Sequence, residues 1–330
     1  FTVDGIVQAD TFGLNGTPFA ARNALPLPFD AVRETSIEFA PFDVEYSGFT
    51  GCAVNVVTQS GSNRFSGSAF YTFRNEDLRG DTVDGQDFTP AAFEEKRWGV
   101  SIGGPIVPDN LFFFFAYEET DLGDANDFGP AGGGFPNEAR FVTQAQFDEF
   151  AQIANDVYGQ DTGGYPRSLP ESSVRYFGRL DRDLNEEHRL EGTYQRLEET
   201  NVESDFFPSD ITGLNSFEDE GTISDYYSMR LYSDWSENFS TEVRLSRAEV
   251  GDVQGPVGGG EAQSGNPIPR LAVAVVGPTE NGILSTGPGV FRSSNQLDTT
   301  VDQLRINANL RAGDHDFKFG VDINDLTVFN

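Results

Sequence analysis

All-β, as part of a transmembrane antiparallel β-barrel, is the fold class this sequence predicts, and three observations predict it. From residue 64 onward apolar residues recur with period two in segments of roughly nine to twelve residues, long for a soluble strand and suited to a tilted membrane crossing. The connections between those segments are alternately short and long, as at the two ends of an outer-membrane barrel. And "NLFFFFAYEET" (110–120) sets four phenylalanines in a row, which suits a strand facing lipid on one side and a filled lumen on the other.

The strands follow in order. "RFSGSAFYTFRN" (64–75) and "KRWGVSIGGPIV" (96–107) are expected to pair as antiparallel neighbours, and the turn "PDN" leads into the Phe-rich stretch. In "VRYFGRLDRDL" Val174, Tyr176, Gly178 and Leu180 share one face, with Arg175, Arg179 and Asp181 on the other. After "NEEH", His188, Leu190, Gly192 and Tyr194 oppose Arg189, Glu191, Thr193 and Gln195. Tyr227, Met229, Leu231 and Trp235 oppose Tyr226, Ser228, Arg230 and Tyr232; beyond "SEN", Val243 and Leu245 oppose Glu242 and Arg244. Leu304, Ile306 and Leu310 oppose Gln303, Arg305 and Arg311; beyond "AGD", Phe317, Phe319, Val321 and Ile323 oppose Asp316, Lys318 and Asp322. That makes about nine strands, each apolar on one face only except the Phe-rich one. A soluble β-sandwich also alternates, but it gives no reason for every long connection to lie at one end. The apolar faces, with Leu231, Val243, Leu245, Leu304, Ile306, Phe319 and Val321, are expected to form a lipid belt.

Composition narrows the function. A net charge of −31, from 53 acidic and 22 basic residues, argues against nucleic acid as a partner. Cys52 is the single cysteine, so no intrachain disulfide or CxxC motif is available, and His188 and His315 are the only histidines. Both fall at short turns, where solvated residues are expected. No nucleophile–base pair is visible, and neither an enzyme activity nor a cofactor or metal is expected. The chain opens on "FTVDGIVQAD" and closes within a strand pattern, as an internal piece of something longer would.

Residues 1–62 lack the barrel rhythm. Val32 to Phe39 and Ala53 to Thr58 read as short strands, and a Gly/Ser/Asn stretch then leads into the barrel. Here the chain resembles the TonB-dependent outer-membrane receptors, in particular the Oar-like branch. "VDG" (3–5) is similar to the turn opening the second half of that family's plug. "DAVRETSIEFAPFDVEYSGFTGCAVNVVTQSGSNRFSGSAFYTFRN" (30–75) resembles the plug's end and its passage into the barrel. "KRWGVSIGGPIVPDNLFFFFAYEE" (96–119) resembles the second and third strands, and "YFGRLDRDLNEEHRLEGTYQ" (176–195) a later hairpin. Gly51–Cys52 departs from the paired glycines usual there.

The resemblance implies a plug domain over 1–62, an α+β unit seen here in its second half. It implies a barrel over 63–330 with long extracellular loops, as about nine strands of a plugged barrel of about 22. It implies the outer membrane of a Gram-negative bacterium, with membrane lipid and lipopolysaccharide around the barrel. The function implied is TonB-dependent active transport of a scarce extracellular ligand, the TonB complex acting through a segment outside this chain. A surface adhesin or assembly protein on the same barrel, without transport, is the alternative.

The candidate site residues are inward. Arg230, Arg244 and Arg305 stand among acidic residues and could pair with plug and neighbouring strands or form a ligand-contacting wall. Of the four phenylalanines, one alternate pair, Phe112 and Phe114, is the candidate to meet the plug. "VTQAQFDEFAQIANDVYG" (142–159) reads as a helix with a Thr143–Gln146 capping box and an apolar stripe of Phe147, Phe150, Ala154 and Val157. "GPAGGGFPNE" and "GPVGGGEAQSGNP" read as flexible loop tips. "DLRGDTVDGQD" and "DLGDANDFG" read as acidic loops lacking the spacing of a twelve-residue calcium loop.

Overall fold

A computed structural model describes residues 1–8, 26–39, 43–44, 52–87, 93–204, 209–262, 264–289 and 296–329. Gly51, and with it the Gly51–Cys52 turn, lies outside them. The chain opens with β1 (Thr2–Val3), β2 (Ile6–Val7), β3 (Val32–Phe39) and β4 (Cys52–Thr58). Next come β5 (Ser66–Asn75), a small hairpin of β6 (Thr82–Val83) and β7 (Gln86–Asp87), β8 (Glu94–Val107) and β9 (Leu111–Ala125). The following connection holds β10 (Phe128–Ala131), β11 (Asn137–Thr143) and α1 (Gln144–Tyr158). Then run β12 (Ser168–Asp183), β13 (His188–Glu203), β14 (Asp210–Thr212), β15 (Glu218–Ser236) and β16 (Phe239–Pro256). The chain ends with β17 (Leu271–Val276), β18 (Asn281–Thr286), β19 (Asp298–Ala312) and β20 (His315–Phe329).

Nine long strands form one sheet, ordered β20-β19-β16-β15-β13-β12-β9-β8-β5. Every neighbouring pair is antiparallel, and each long strand pairs with the next along the chain. The expected first pair is present, from Ser66 opposite Gly103 to Asn75 opposite Glu94. The sheet is open, with β5 and β20 at its two edges. Short turns close one end. Asp109 in "PDN" and Gly313 in "AGD" take the left-handed conformation (φ 58° and 63°) that so tight a reversal needs.

Register sorts the side chains. On the outer face Trp98 packs on Tyr117 (ring centroids 4.9 Å apart), Tyr117 on Tyr176 (5.1 Å) and Tyr194 on Tyr227 (5.2 Å). Above this aromatic row the face turns polar at once. The Tyr117 hydroxyl donates to Glu119 and that of Tyr194 to Asp225, at 2.6 and 2.7 Å, and Arg247 pairs with Asp302. Toward the short turns a second aromatic border holds His188 edge-on to Trp235 at 4.9 Å, so His188 is a packed ring rather than a solvated turn residue. Between the borders lie Leu231, Val243, Leu245, Leu304, Ile306, Phe319 and Val321, paired across strands in register. Eight residues separate Tyr227 from Trp235, about 27 Å along a strand and about 21 Å of membrane at a 40° tilt, close to the usual apolar band.

The inner face carries the N-terminal sheet, ordered β2-β1-β4-β3, in which β1 and β4 run parallel. Its only described helical element is a 3-10 turn at Phe29–Ala31. Val3, Leu27, Ala31 and Val56 share one buried cluster with Phe114, Ala116 and Phe177 of the large sheet.

The long connections have a core of their own. The Thr143–Gln146 capping box is formed, and Gly159 (φ 67°) ends α1. Phe147 and Phe150 are buried against Phe141, Ile211 and Leu284, and Ala154 is buried as well. Val157 is 67% exposed, against the expected stripe; ten residues past Phe147, it sits about 80° round the helix. The glycine-rich stretch 129–138 is not a free tip. It lies within and between β10 and β11, which pair in parallel, and Arg167 lies over Phe135 and donates to the Gly133 carbonyl. In 255–267, Val257 N–H donates to Phe217 and Gly258 N–H to Asn215. The acidic stretch 121–129 belongs to β9 and β10 rather than to a loop. Tyr165 donates to the Phe128 carbonyl at 3.0 Å, and burial raises its phenol above the ordinary value.

Candidate functional site

Period two aims one residue in two at the N-terminal sheet, and on the inner face those residues are mostly charged or amide-bearing. In β9 the inward series is Phe112, Phe114, Ala116 and Glu118. Phe114 is buried and meets Phe177 at 6.3 Å, whereas Phe112 is half-buried. Phe113 and Phe115 point outward, Phe113 edge-on to Phe65 at 6.3 Å.

Three polar clusters tie the wall to the segment on it. In the first, fully buried Glu118 accepts from the Phe29 backbone N–H (2.7 Å), Arg97 Nε (2.6 Å) and Arg175 Nη1 (3.2 Å). Arg175 also donates to Ser173 and Thr120. In the second, Arg179 bridges Asp181 (2.9 Å) and Glu191 (2.8 Å) and donates through Nη1 to Thr58 at 3.0 Å. Thr58 in turn donates through its N–H and its hydroxyl to the Asp4 carboxylate, at 3.0 and 2.6 Å. Beside these, Gln8 and Gln195 pair amide to amide, and Gln195 donates to the Pro26 carbonyl.

The third cluster holds the arginines singled out in the sequence. Arg230, Arg244 and Arg305 stand opposite one another on β15, β16 and β19, with Glu191 and Asp322 at the ends of the row. Like charges directly opposite destabilise a sheet. Arg230 and Arg244 both donate to one acceptor, the carbonyl oxygen of Asp4, Arg244 through Nη1 at 3.0 Å. Arg230 also reaches the Tyr232 hydroxyl (2.6 Å) and stands 3.4 Å from Glu242. Arg244 is 2% exposed, and its Nε and Nη2 make no hydrogen bond. Arg305 does not join the pair on Asp4; it donates to Asn307 at 3.4 Å. The shared carbonyl is presented by a tight turn, Asp4 at φ 48° and Gly5 at φ 77°. A Cβ on Gly5 would stand 2.4 Å from Arg244 Nη1, so glycine is what lets the guanidinium approach.

The resemblance pointed to "VDG" as a turn, but its carbonyl as the acceptor for two distant arginines was not legible. Glu118 was missed as well, although a signal for it exists: it continues the period-two series from Phe112 and Phe114. Toward the long connections a cavity of about 610 Å³ opens between Leu27 and Phe29 on one side and Arg74, Arg97, Thr120 and Arg175 on the other. Among the described residues no three His, Cys, Asp or Glu side chains gather as a metal site.

A membrane-high sheet with an aromatic-bordered apolar outside and a charged inside, itself occupied by a separate small sheet, is the architecture of an outer-membrane barrel with something held in its lumen. Residues 57–132 match the outer membrane beta barrel domain. Over 204 residues, 58% of this chain and 17% of the relative, the chain is 27% identical to the TonB-dependent transporter Oar of Myxococcus xanthus. Its fold matches the outer membrane transporter YddB of Escherichia coli, with TM-score 0.61 and 10% identity over 99% of this chain and 40% of that one. It also matches a variant of the ferric enterobactin receptor PfeA of Pseudomonas aeruginosa (TM-score 0.58, 13% identity, 100% and 41% covered). A third match is the siderophore receptor PirA of Acinetobacter baumannii (TM-score 0.52, 14% identity, 99% and 49% covered). The chain thus spans under a fifth of its curated relative and no more than half of these solved structures. On these findings the chain is similar to TonB-dependent outer-membrane transporters, Oar among them, and its barrel sheet places it in the Gram-negative outer membrane.

Proposed function

We propose that residues 1–62 are the second half of a plug, that 63–330 open the surrounding barrel, and that the whole takes up an extracellular ligand when TonB pulls the plug. The observation that carries this reading is the double hold of Arg230 and Arg244 on the Asp4 carbonyl. Permanent interfaces are ordinarily the more apolar ones. This one is largely polar, so each contact broken can be replaced by water as the segment moves, at a net cost of about 0.5–1.5 kcal/mol for a neutral pair and about 1.5–3 where a guanidinium or carboxylate takes part. The long connections then lie outside the cell, and the cavity beside Leu27 and Phe29 opens toward them. No step in this scheme makes or breaks a covalent bond.

The test needs no knowledge of the ligand. Gln195→Cys, in a Cys52→Ser background, places a thiol beneath Gln8 and Pro26 in the full-length receptor. Maleimide labelling from outside should be faster in energised cells than in cells lacking TonB. Equal labelling would remove the transport reading and favour the adhesin on the same barrel.

A further inference from the structure

The assembly formed by the long connections leaves one strand edge bare. In the sheet ordered β14-β18-β17, β17 is outermost and pairs only with β18 among the described residues. Its sequence, Leu-Ala-Val-Ala-Val-Val, is apolar throughout. A long, exposed, hydrophobic edge is a template for another strand, and proteins ordinarily cover or charge it. Among the described residues no strand pairs with this edge, and β17 itself carries no charge.

The bare edge does not face open water. It borders a groove of about 660 Å³ whose other wall is α1. Every residue from Arg270 to Val276 lines one side, and Glu149, Ile153 and Tyr158 stand on the other. Ile153, Tyr158, Val273 and Val276 are all exposed, Val276 at 84%. The groove lies beyond the aromatic row that ends the lipid-facing band, so lipid tails do not cover this apolar surface.

Two features specify the occupant. The first is the backbone. A strand edge offers N–H and C=O groups at every second residue, and an extended polypeptide is the partner that satisfies them in register. The six residues of β17 match a segment about 20 Å long. The second is charge. α1 contains Asp148, Glu149 and Asp156 and no Lys or Arg, while Arg270 is engaged with Ser285 and the Pro288 carbonyl. Of these Glu149 lines the groove, opposite Arg270, and it is the carboxylate there that a cationic side chain of an occupant can meet. A second copy pairing β17 to β17 would bring two acidic helices together.

We propose that the groove between α1 and β17 docks an extended segment of a partner polypeptide, which adds a strand to β17. Its apolar side chains meet Ile153 and Val273, and its alternate Lys or Arg side chains meet Glu149. This site is separate from the barrel lumen and independent of uptake.

The experiment titrates the full-length receptor in nanodiscs with a fluorescent peptide in which valine and lysine alternate. Saturable binding is expected, and replacing lysine by glutamate should abolish it. N-methylation of alternate peptide amides on the edge facing β17 should weaken binding at least about tenfold, and methylation of the other edge should not. Ile153→Lys, at an exposed position, should also weaken it about tenfold. The proposal is overturned if no peptide binds saturably, or if both methylated peptides bind alike, which would make the groove a mere apolar sink. It is equally overturned if the receptor self-associates through β17 and the peptide fails to compete.

Discussion

Gln8 and Gln195 face each other across 187 positions of sequence and exchange two side-chain hydrogen bonds, at 2.7 and 3.0 Å, both residues buried. Each amide uses a donor and an acceptor, so the pair is satisfied only while the N-terminal segment lies on β13. Removing one partner strands the other. Gln195→Leu should cost about 1–3 kcal/mol in equilibrium unfolding of the full-length receptor in lipid, with Gln8→Leu/Gln195→Leu less harmful than the single change. If the double variant loses the sum of two single losses, the two amides do not act as a pair.

At Gly5 the segment comes close to the Arg244 guanidinium. Gly5→Ala puts a methyl group against Arg244 and an alanine at φ 77°, a backbone strain of about 1–2 kcal/mol before any clash. The expected outcome is a segment that opens more readily, read as faster maleimide labelling of Gln195→Cys, with the barrel's own unfolding little changed. Unaltered labelling would mean that Arg244 moves aside without consequence.

The phenylalanines divide by face. Deleting residues 1–62 should expose Phe114, which packs on Val3, Leu27, Ala31 and Val56, and should leave outward Phe115 as it was. In a Cys52→Ser background, Phe114→Cys should be protected from water-soluble maleimide only while the segment is present, and Phe115→Cys should behave alike in both. Equal labelling of Phe114→Cys with and without the segment would show that something else covers it.

On the outer face Ile306 lies between Val243 and Val321 in register, midway between the aromatic borders. Ile306→Arg should cost about 2–4 kcal/mol in refolding into lipid, whereas Thr300→Arg, on the same face but beyond the aromatic row, should cost about 0–1. Equal costs at the two positions would displace the membrane from where the aromatic rows put it.

What the sequence by itself determined is the part governed by local period. Alternation assigns one face to lipid and the other to the lumen, because successive side chains on a strand must point opposite ways. That is why Leu231, Val243 and Ile306 and their opposite numbers Arg230, Arg244 and Arg305 could be sorted in advance, and why the sheet follows the chain order strand by strand. The α1 cap was legible for a similar reason: Thr143 and Gln146 interact within one turn. The interior of the long connections was not legible. β10, β11, β14, β17 and β18 are short and rest on contacts between distant loops, and the glycine runs beside them carry no period. Nor could any pattern show that Arg230 and Arg244 would share the carbonyl of Asp4 while Arg305 would not. That acceptor is a backbone oxygen, which carries no mark in the sequence. Only the tertiary fold, by laying a left-handed turn at Asp4–Gly5 against β15 and β16, decides which guanidinium groups reach it.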